Sequence, residues 1–317
     1  MSASPLSPLS SLRTVVLAGG VGGAKLADGL RRILPPEQLT IIVNTGDDFQ
    51  HLGLTICPDM DTVMHTLAGV ANTETGWGRA GESWRVMEAV GRLAGPDWFR
   101  LGDLDLATHL TRTHLLNEGM SLTAVTQHLC HQFGIQHPIL PMTNQPAPTL
   151  IETEAGILPF QTWFVKERWQ PVIKKIHLPE DVRASLPVMQ ALEKADVVII
   201  APSNPFVSVA PILNVYPIES MLMDLPKAVI AVTPIIGGAA VKGPAAKMMQ
   251  EMGLAVSATA VAHHYGELID GFIYDEQDAG TFPPTEFATL GVNTFMQNND
   301  DRIRLAQDVL QFAQELV

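Results

Sequence analysis

Apolar positions along the chain follow two rhythms. Short, mostly apolar and β-branched runs, Thr14 to Ala18 (TVVLA) and Leu39 to Val43 (LTIIV), suit strands buried on both faces. Between them Ala24 to Ile33 carries helical spacing and stops at Pro35-Pro36. Strand, helix and strand in so short a span form a βαβ unit, which predicts an α/β fold with a doubly wound, mostly parallel sheet. From Asp61 to Gly134 the spacing is mainly helical: Asp61 can cap TVMHTLAG, Glu82 to Leu93 is periodic, Asp105 to Leu116 precedes Gly119, and Ser121 can cap Leu122 to Phe133. Around Ala155-Gly156 the pattern alternates (TLIETEAGILPFQTWFV), which predicts a β-hairpin. The parallel pattern resumes with ADVVIIAPSNP and KAVIAVTPIIGG, a helix over Val241 to Met252, strands at LAVSAT and LIDGFIYDE, and a closing helix over Arg302 to Leu316. The organisation expected is a frayed tail over residues 1–12 and one domain over 13–317, with a helical and β-hairpin cap inserted at about 62–180.

Composition narrows the function. The chain has 317 residues, 46% hydrophobic, with 33 acidic against 20 basic side chains and a net charge of −13. That balance argues against nucleic acid or an anionic membrane as partner, since both need a basic footprint. No apolar run reaches membrane-span length. Cys57 and Cys130 stand far apart, without the spacing of a zinc site or a disulfide framework, and read as reduced thiols of a cytoplasmic protein.

In a parallel sheet, ligands bind beyond the carboxyl ends of the strands. Here the loops after four predicted strands share a polar, glycine-rich character: Gly19 to Gly23, Asn44 to Asp48, Pro202-Ser203-Asn204-Pro205, and Thr233 to Gly238 followed by Lys242. Glycines let backbone amides approach phosphate oxygens, and the following helix turns its positive end toward them. The dinucleotide fingerprint is not met cleanly, because Gly20, Gly22 and Lys25 fill its three places, and no P-loop Gly-Lys-Ser/Thr follows. A tight turn that binds nothing is the plain alternative. Asp47, Asp48, Asp59 and Asp61 cluster close behind and, as a group of hard oxygen ligands beside a phosphate loop, suggest Mg²⁺. Singly, Asp61 reads equally as a helix cap and Asp47-Asp48 as a turn. Asp103 and Asp105 form a second acid pair, one of them suited to capping, with His109 and Arg112 able to face the cleft. His128 and His131 read as surface or packing, and His263-His264 as loop residues. Ser203 suits a ligand-contacting turn better than a nucleophile. Each of Trp77, Trp84, Trp98, Trp163 and Trp169 can stack on a flat ligand, though core packing is the ordinary role.

The stretches GGVGGAKL, VNTGDDF, CPDMDTVMHTLAG, GDLDLATH, LPM, FQTWFV, APSNPFVSVAPIL and TPIIGGAAVKGPAAKMM occur in order from Val15 to about Asp275. Together they resemble the 2-phospho-L-lactate transferase (CofD) family of coenzyme F(420) biosynthesis. The resemblance implies a Rossmann-like domain with helical and β insertions, usually dimeric. It implies Mg²⁺-dependent transfer of a phospho-three-carbon-acid unit (phospholactyl, phosphoenolpyruvyl or phosphoglyceryl) from a GDP-linked donor to the deazaflavin Fo, with release of GMP. Carried onto this chain, Gly19, Gly20, Gly22, Gly23, Lys25, Ser203, Asn204 and Gly237 would hold the donor. Asp47, Asp48, Asp59 and Asp61 would hold the metal, with Asp59 and Asp61 catalytic. Asn44, Asp48, Trp84, Leu104 and His109 would meet the acceptor, with the Trp163 region packing on its ring. One departure stands out: many relatives have a basic residue where this chain has Leu104. Two other readings compete with this one. A sister branch of the same fold binds UDP-sugars and regulates without transfer, and an NAD-dependent oxidoreductase would rest on the glycine loop alone.

Overall fold

The structure, a computed structural model, describes residues 12–317; apart from Leu12, the expected tail lies outside the described residues. In chain order, β1 (Thr14–Ala18) leads into α1 (Gly20–Arg31), β2 (Leu39–Val43), a small hairpin β3 (Phe49–His51) and β4 (Leu54–Ile56), and α2 (Pro58–Leu67). Helices α3 (Arg85–Arg92), α4 (Asp103–Asn117) and α5 (Leu122–Gln132) follow, then strands β5 (Ile139–Pro141), β6 (Leu150–Thr153), β7 (Gly156–Pro159) and β8 (Lys175–His177). The second half runs α6 (Leu186–Lys194), β9 (Val197–Ile200), α7 (Ala210–Asn214), α8 (Ile218–Asp224), β10 (Ala228–Val232) and a two-residue-stranded hairpin β11 (Ile235–Ile236) and β12 (Ala239–Ala240). It ends with α9 (Ala245–Glu251), α10 (Ala258–Tyr265), β13 (Gly271–Asp275), β14 (Ala288–Val292) and α11 (Asn299–Leu316).

Seven strands pair in parallel in the order β5-β2-β1-β9-β10-β13-β14. Winding runs outward from β1 in one direction and then resumes at β9 in the other, so the topological switch point lies between β1 and β9. The period of two along each strand divides the core. Val15, Leu17, Val198, Ile200 and Phe272 face the layer that includes α6, α7, α8 and α10. Val16, Ala18, Ile41, Ile199 and Ile273 face the layer of α1, α2, α5 and α11. Both faces being covered is what lets these strands be apolar throughout.

Several elements depart from the sequence expectation. The hairpin forms as expected from β6 and β7, and β8 extends it to three strands. Strand β5 falls within the expected insertion of 62–180 yet pairs with β2 at the edge of the central sheet. LAVSAT is not a strand; its Ser257 accepts from the Ala260 amide and caps α10, whose last turn carries His263 and His264. The helix expected from Val241 begins only after Pro244, at Ala245. Helix α2 begins at Pro58 rather than after Asp61, so Asp61 lies inside the helix and does not cap it. Proline at the first helical turn, preset in φ and lacking a donor to waste, explains the earlier start.

The glycine loop is packed, not open. A Cβ on Gly22 would lie 2.1 Å from the Pro202 carbonyl oxygen, and one on Gly29 would lie 2.1 Å from that of Arg302. These are backbone atoms of neighbouring elements, so they cannot swing away. Gly22→Ala is expected to destabilise the fold by about 2–3 kcal/mol through overpacking, against the slight gain that alanine brings inside an ordinary helix. Chemical denaturation would show this, and a variant as stable as the parent would refute the close approach.

Candidate functional site

Beyond the carboxyl ends of β1 and β9 the chain folds back on itself. The Ser203 hydroxyl donates to the Gly19 carbonyl at 2.8 Å and accepts from the Gly19 amide at 3.2 Å, stapling the two sides of the switch point. Gly23 also has no room for a side chain, since its Cβ would meet the Ser203 hydroxyl at 2.7 Å. The polar turn and the glycine loop, far apart in sequence, thus form one wall.

Asn44, at the end of β2, is the hub of the site. Its Nδ2 lies 3.1 Å from Asp47 Oδ1, 2.9 Å from Asp59 Oδ2 and 3.2 Å from the Val207 carbonyl. Its Oδ1 accepts from the Gly46 amide at 2.7 Å, which fixes which end of the amide faces the acids. Gln161 Nε2 donates to Asp47 Oδ2 at 3.0 Å. Asp59, in the first turn of α2, also accepts from the Gly20 amide at the start of α1. Two carboxylates therefore meet where the helix N-terminus opens.

Asp47, Asp48 and Asp59 are strongly unfavourable as a set of bare anions. None of them forms an ion pair among the described residues. Burial, then the charge of Asp59, pushes Asp47 well above the usual carboxylate range. Burial does the same to Asp48, more than the Cys57 thiol and the Arg112 charge offset. Asp59 is pushed up to about 6 by burial, against the hydrogen bonds from Asn44 and Gly20. Asp48 Oδ1 is buried without a hydrogen-bond partner. Asp47 and Asp59 offer oxygen donors with no counter-charge, which fit a hard divalent cation. Among the described residues no three acidic, histidine or cysteine side chains converge, as they stand, to hold a metal ion.

Asp61 faces the other way. Both its oxygens take the two terminal nitrogens of Arg112, from α4, with Nη1 at 3.1 Å from Oδ2 and Nη2 still closer to Oδ1. Arg112 Nη1 also lies 3.0 Å from His109 Nδ1. His109 Nε2 is 3.5 Å from Asp105 Oδ2, and His65 Nε2 is 4.0 Å from Asp105 Oδ1. Burial raises the Asp105 carboxyl, but its contacts with His109 and then its nearness to His65 and Arg112 prevail and hold it below the usual range. A small cavity of about 60 Å³ opens here, lined by Asp61, Thr62, Trp77, Phe99, Asp105 and His109 among others. A broader surface recess of about 650 Å³ lies along α3, bounded by Glu88, Arg92 and Arg100, away from the carboxylates.

The remaining expected residues fall outside the Asn44 cluster. Lys25 Nζ donates to the Met296 carbonyl at 2.6 Å, and burial lowers its pKa. Asn204 accepts from the Phe206 amide at 3.0 Å and points its Nδ2 at Met248 Sδ. Gly237 lies in the turn between β11 and β12, where its amide donates to Asp278 at 3.1 Å. Trp84 is half-buried with the Arg100 guanidinium 4.5 Å over its ring, and Leu104 is exposed in the first turn of α4. Trp163 is core: it is fully buried, packs on Phe160 and donates to the Pro171 carbonyl. Gln161 was not anticipated, although it is the one amide in an apolar stretch (PFQTWFV). His65 also went unremarked; its position four residues after Asp61 places both on one helix face.

Fold and site define a Rossmann-like α/β protein with a buried acidic cluster beside its switch point. The chain belongs to the family described as 2-phospho-L-lactate transferase CofD, whose model matches residues 14–289. It is therefore a transferase of a family that acts in coenzyme F(420) biosynthesis. It is 39% identical to a phosphoenolpyruvate transferase of Streptomyces griseus, over 96% of this chain and 99% of that one. It is 38% identical to a 2-phospho-L-lactate transferase of Methanospirillum hungatei, over 93% and 98% respectively. A solved structure of an upf0052 family protein from Bacillus halodurans shares the fold, with a TM-score of 0.60 at 16% identity over 94% of this chain and 98% of that one. No helix among the described residues is long and apolar enough to cross a membrane.

Proposed function

We propose that this transferase moves a phospho-three-carbon-acid unit from a GDP-linked donor to the deazaflavin Fo and releases GMP. The observation that carries the reading is the Asp47–Asn44–Asp59 cluster facing the Gly20 amide at the switch point of a CofD-family chain. A hydroxyl of the acceptor attacks the phosphorus bonded to the acid; the bond from that phosphorus to the GMP oxygen breaks, and GMP carries away the negative charge. Such transfers need positioning and charge neutralisation more than covalent help. Asp47, Asp48 and Asp59 would hold Mg²⁺, which when bound neutralises phosphate charge. Asn44 and Gln161 keep the carboxylates aimed into the crevice, and Ser203 keeps the glycine loop closed on its far side. Asp59 would orient the attacking hydroxyl and accept its proton. The relatives' names supply two donors, phosphoenolpyruvate-type and 2-phospho-L-lactate-type, at nearly equal identity. The test is incubation with Fo, Mg²⁺ and each guanosine-linked donor in turn. GMP and a phosphorylated deazaflavin are expected with one of them; no product with any would overturn the reading.

A pH dependence follows from Asp59. Its folded pKa of about 6 lies above the ordinary 3.8, so in the metal-free chain its ionisation opposes folding as the pH rises through that window. Cation binding must displace the proton. Mg²⁺ affinity measured by calorimetry on the substrate-free protein is expected to fall at least about tenfold per unit well below pH 6. Flat affinity down to pH 5 would show that Asp59 takes no part.

A further inference from the structure

Asp59 and Asp61 are two residues apart on one helix, and at 3.6 residues per turn that separates them by roughly 200° around the axis. They cannot serve one ion from the same side of α2. The contacts realise this division: Asp59 meets Asn44 and Gly20, while Asp61 meets Arg112. Asp61 and His65 share one face of α2; Asp105, His109 and Arg112 share one face of α4, and the two faces form a buried polar seam. Arg112 has only donors, so His109 Nδ1 must accept from it and the ring proton must sit on Nε2. That nitrogen is buried at the small cavity, 3.5 Å from Asp105 Oδ2.

We propose that Asp61 and Arg112 are positioning residues for the transfer and not metal ligands: the pair locks α2 to α4 and fixes His109, an expected acceptor contact, as its Nε2–H tautomer. The assignment rests on the transferase reading. Asp61→Asn keeps the shape and removes the charge that Arg112 grips, and Arg112→Lys keeps the charge and loses the two-pronged contact. In both, turnover is expected to fall about 10- to 100-fold, the scale of a small misplacement of reacting groups. Mg²⁺ affinity of the substrate-free protein stays within about twofold, because the Asn44 cluster is untouched. The histidine ¹⁵N spectrum provides a readout that does not depend on activity, with the Nε2–H signature of His109 in the parent giving way to mixed tautomers in Arg112→Lys. Should Asp61→Asn fail to fold, Arg112→Lys carries all three measurements. A tenfold or greater loss of Mg²⁺ affinity in Asp61→Asn would make Asp61 a ligand and overturn the proposal. Unchanged turnover in the variants would reduce the seam to scaffolding. Absence of transfer by the unmodified protein would overturn the functional reading itself, a result distinct from either.

Discussion

Arg112→Met is expected to destabilise the protein by about 3–5 kcal/mol, read as a shift in the urea midpoint at unchanged slope. Arg112 and Asp61 are both buried, and each is the other's only two-pronged partner. Removing the guanidinium leaves the largely buried Asp61 carboxylate between α2 and α4, across His109 from Asp105, without its counter-charge. The Thr55 carbonyl, 3.3 Å from Arg112 Nη1, loses a donor as well. The large figure is the penalty of an abandoned charge, not the worth of the pair. Removing both charges should therefore recover most of the loss: Asp61→Leu combined with Arg112→Met is expected to lie within about 1–2 kcal/mol of the parent. If Arg112→Met alone shifts stability by less than about 1 kcal/mol, the buried pair is not what holds α2 to α4. The double variant also separates folding from function, because a positioning role predicts recovered stability without recovered turnover.

The fold was legible where burial alone decides local structure. TVVLA, LTIIV, VVII and AVIAV are apolar on both faces, and only a sheet covered on two sides accepts such runs, so the parallel core followed from their composition. Strand β5 was not legible, because three residues ending in proline carry almost no pattern and are recruited by pairing with β2. Strand β14 alternates weakly and lies at the opposite edge, where it depends on β13. LAVSAT has the residues of a strand, but the capping hydroxyl of Ser257 gives its end to a helix. In the site, the convergence of Gly19, Asn44 and Ser203 followed from topology, since parallel strands bring their carboxyl ends to one edge. Direction was harder to read. The sequence placed four aspartates together, but only the register of α2, set by Pro58, decides that Asp59 turns inward and Asp61 toward α4. Gln161 reaches Asp47 from the helical turn that follows β7 over a separation of 114 residues, a contact no local pattern encodes.

Asp59→Asn is expected to lower turnover by at least about 100-fold and to abolish the Mg²⁺-induced rise in thermal stability. The reasoning runs through the neighbours. Substituting groups that merely orient a metal ligand lowers affinity or activity about 10- to 100-fold, so Asn44→Ala should fall in that range. Asp59 is the carboxylate that Asn44 orients, so its loss should exceed the loss of its support. Stability should move in the opposite sense from function. The parent keeps Asp47 and Asp59 against the same amide without a counter-ion, an arrangement that opposes folding at neutral pH. Neutralising one of them removes that repulsion, so the metal-free variant should be no less stable than the metal-free parent. With Mg²⁺ at 100 times its dissociation constant the parent should gain about 2.7 kcal/mol and the variant almost nothing. Thermal scans of both proteins with Mg²⁺ and with a chelator make the comparison. A variant that is destabilised without metal yet still responds to Mg²⁺ would assign Asp59 a structural role and move the cation elsewhere. The opposite pattern, function lost while the fold is kept or strengthened, is what a buried acid retained for its chemistry produces.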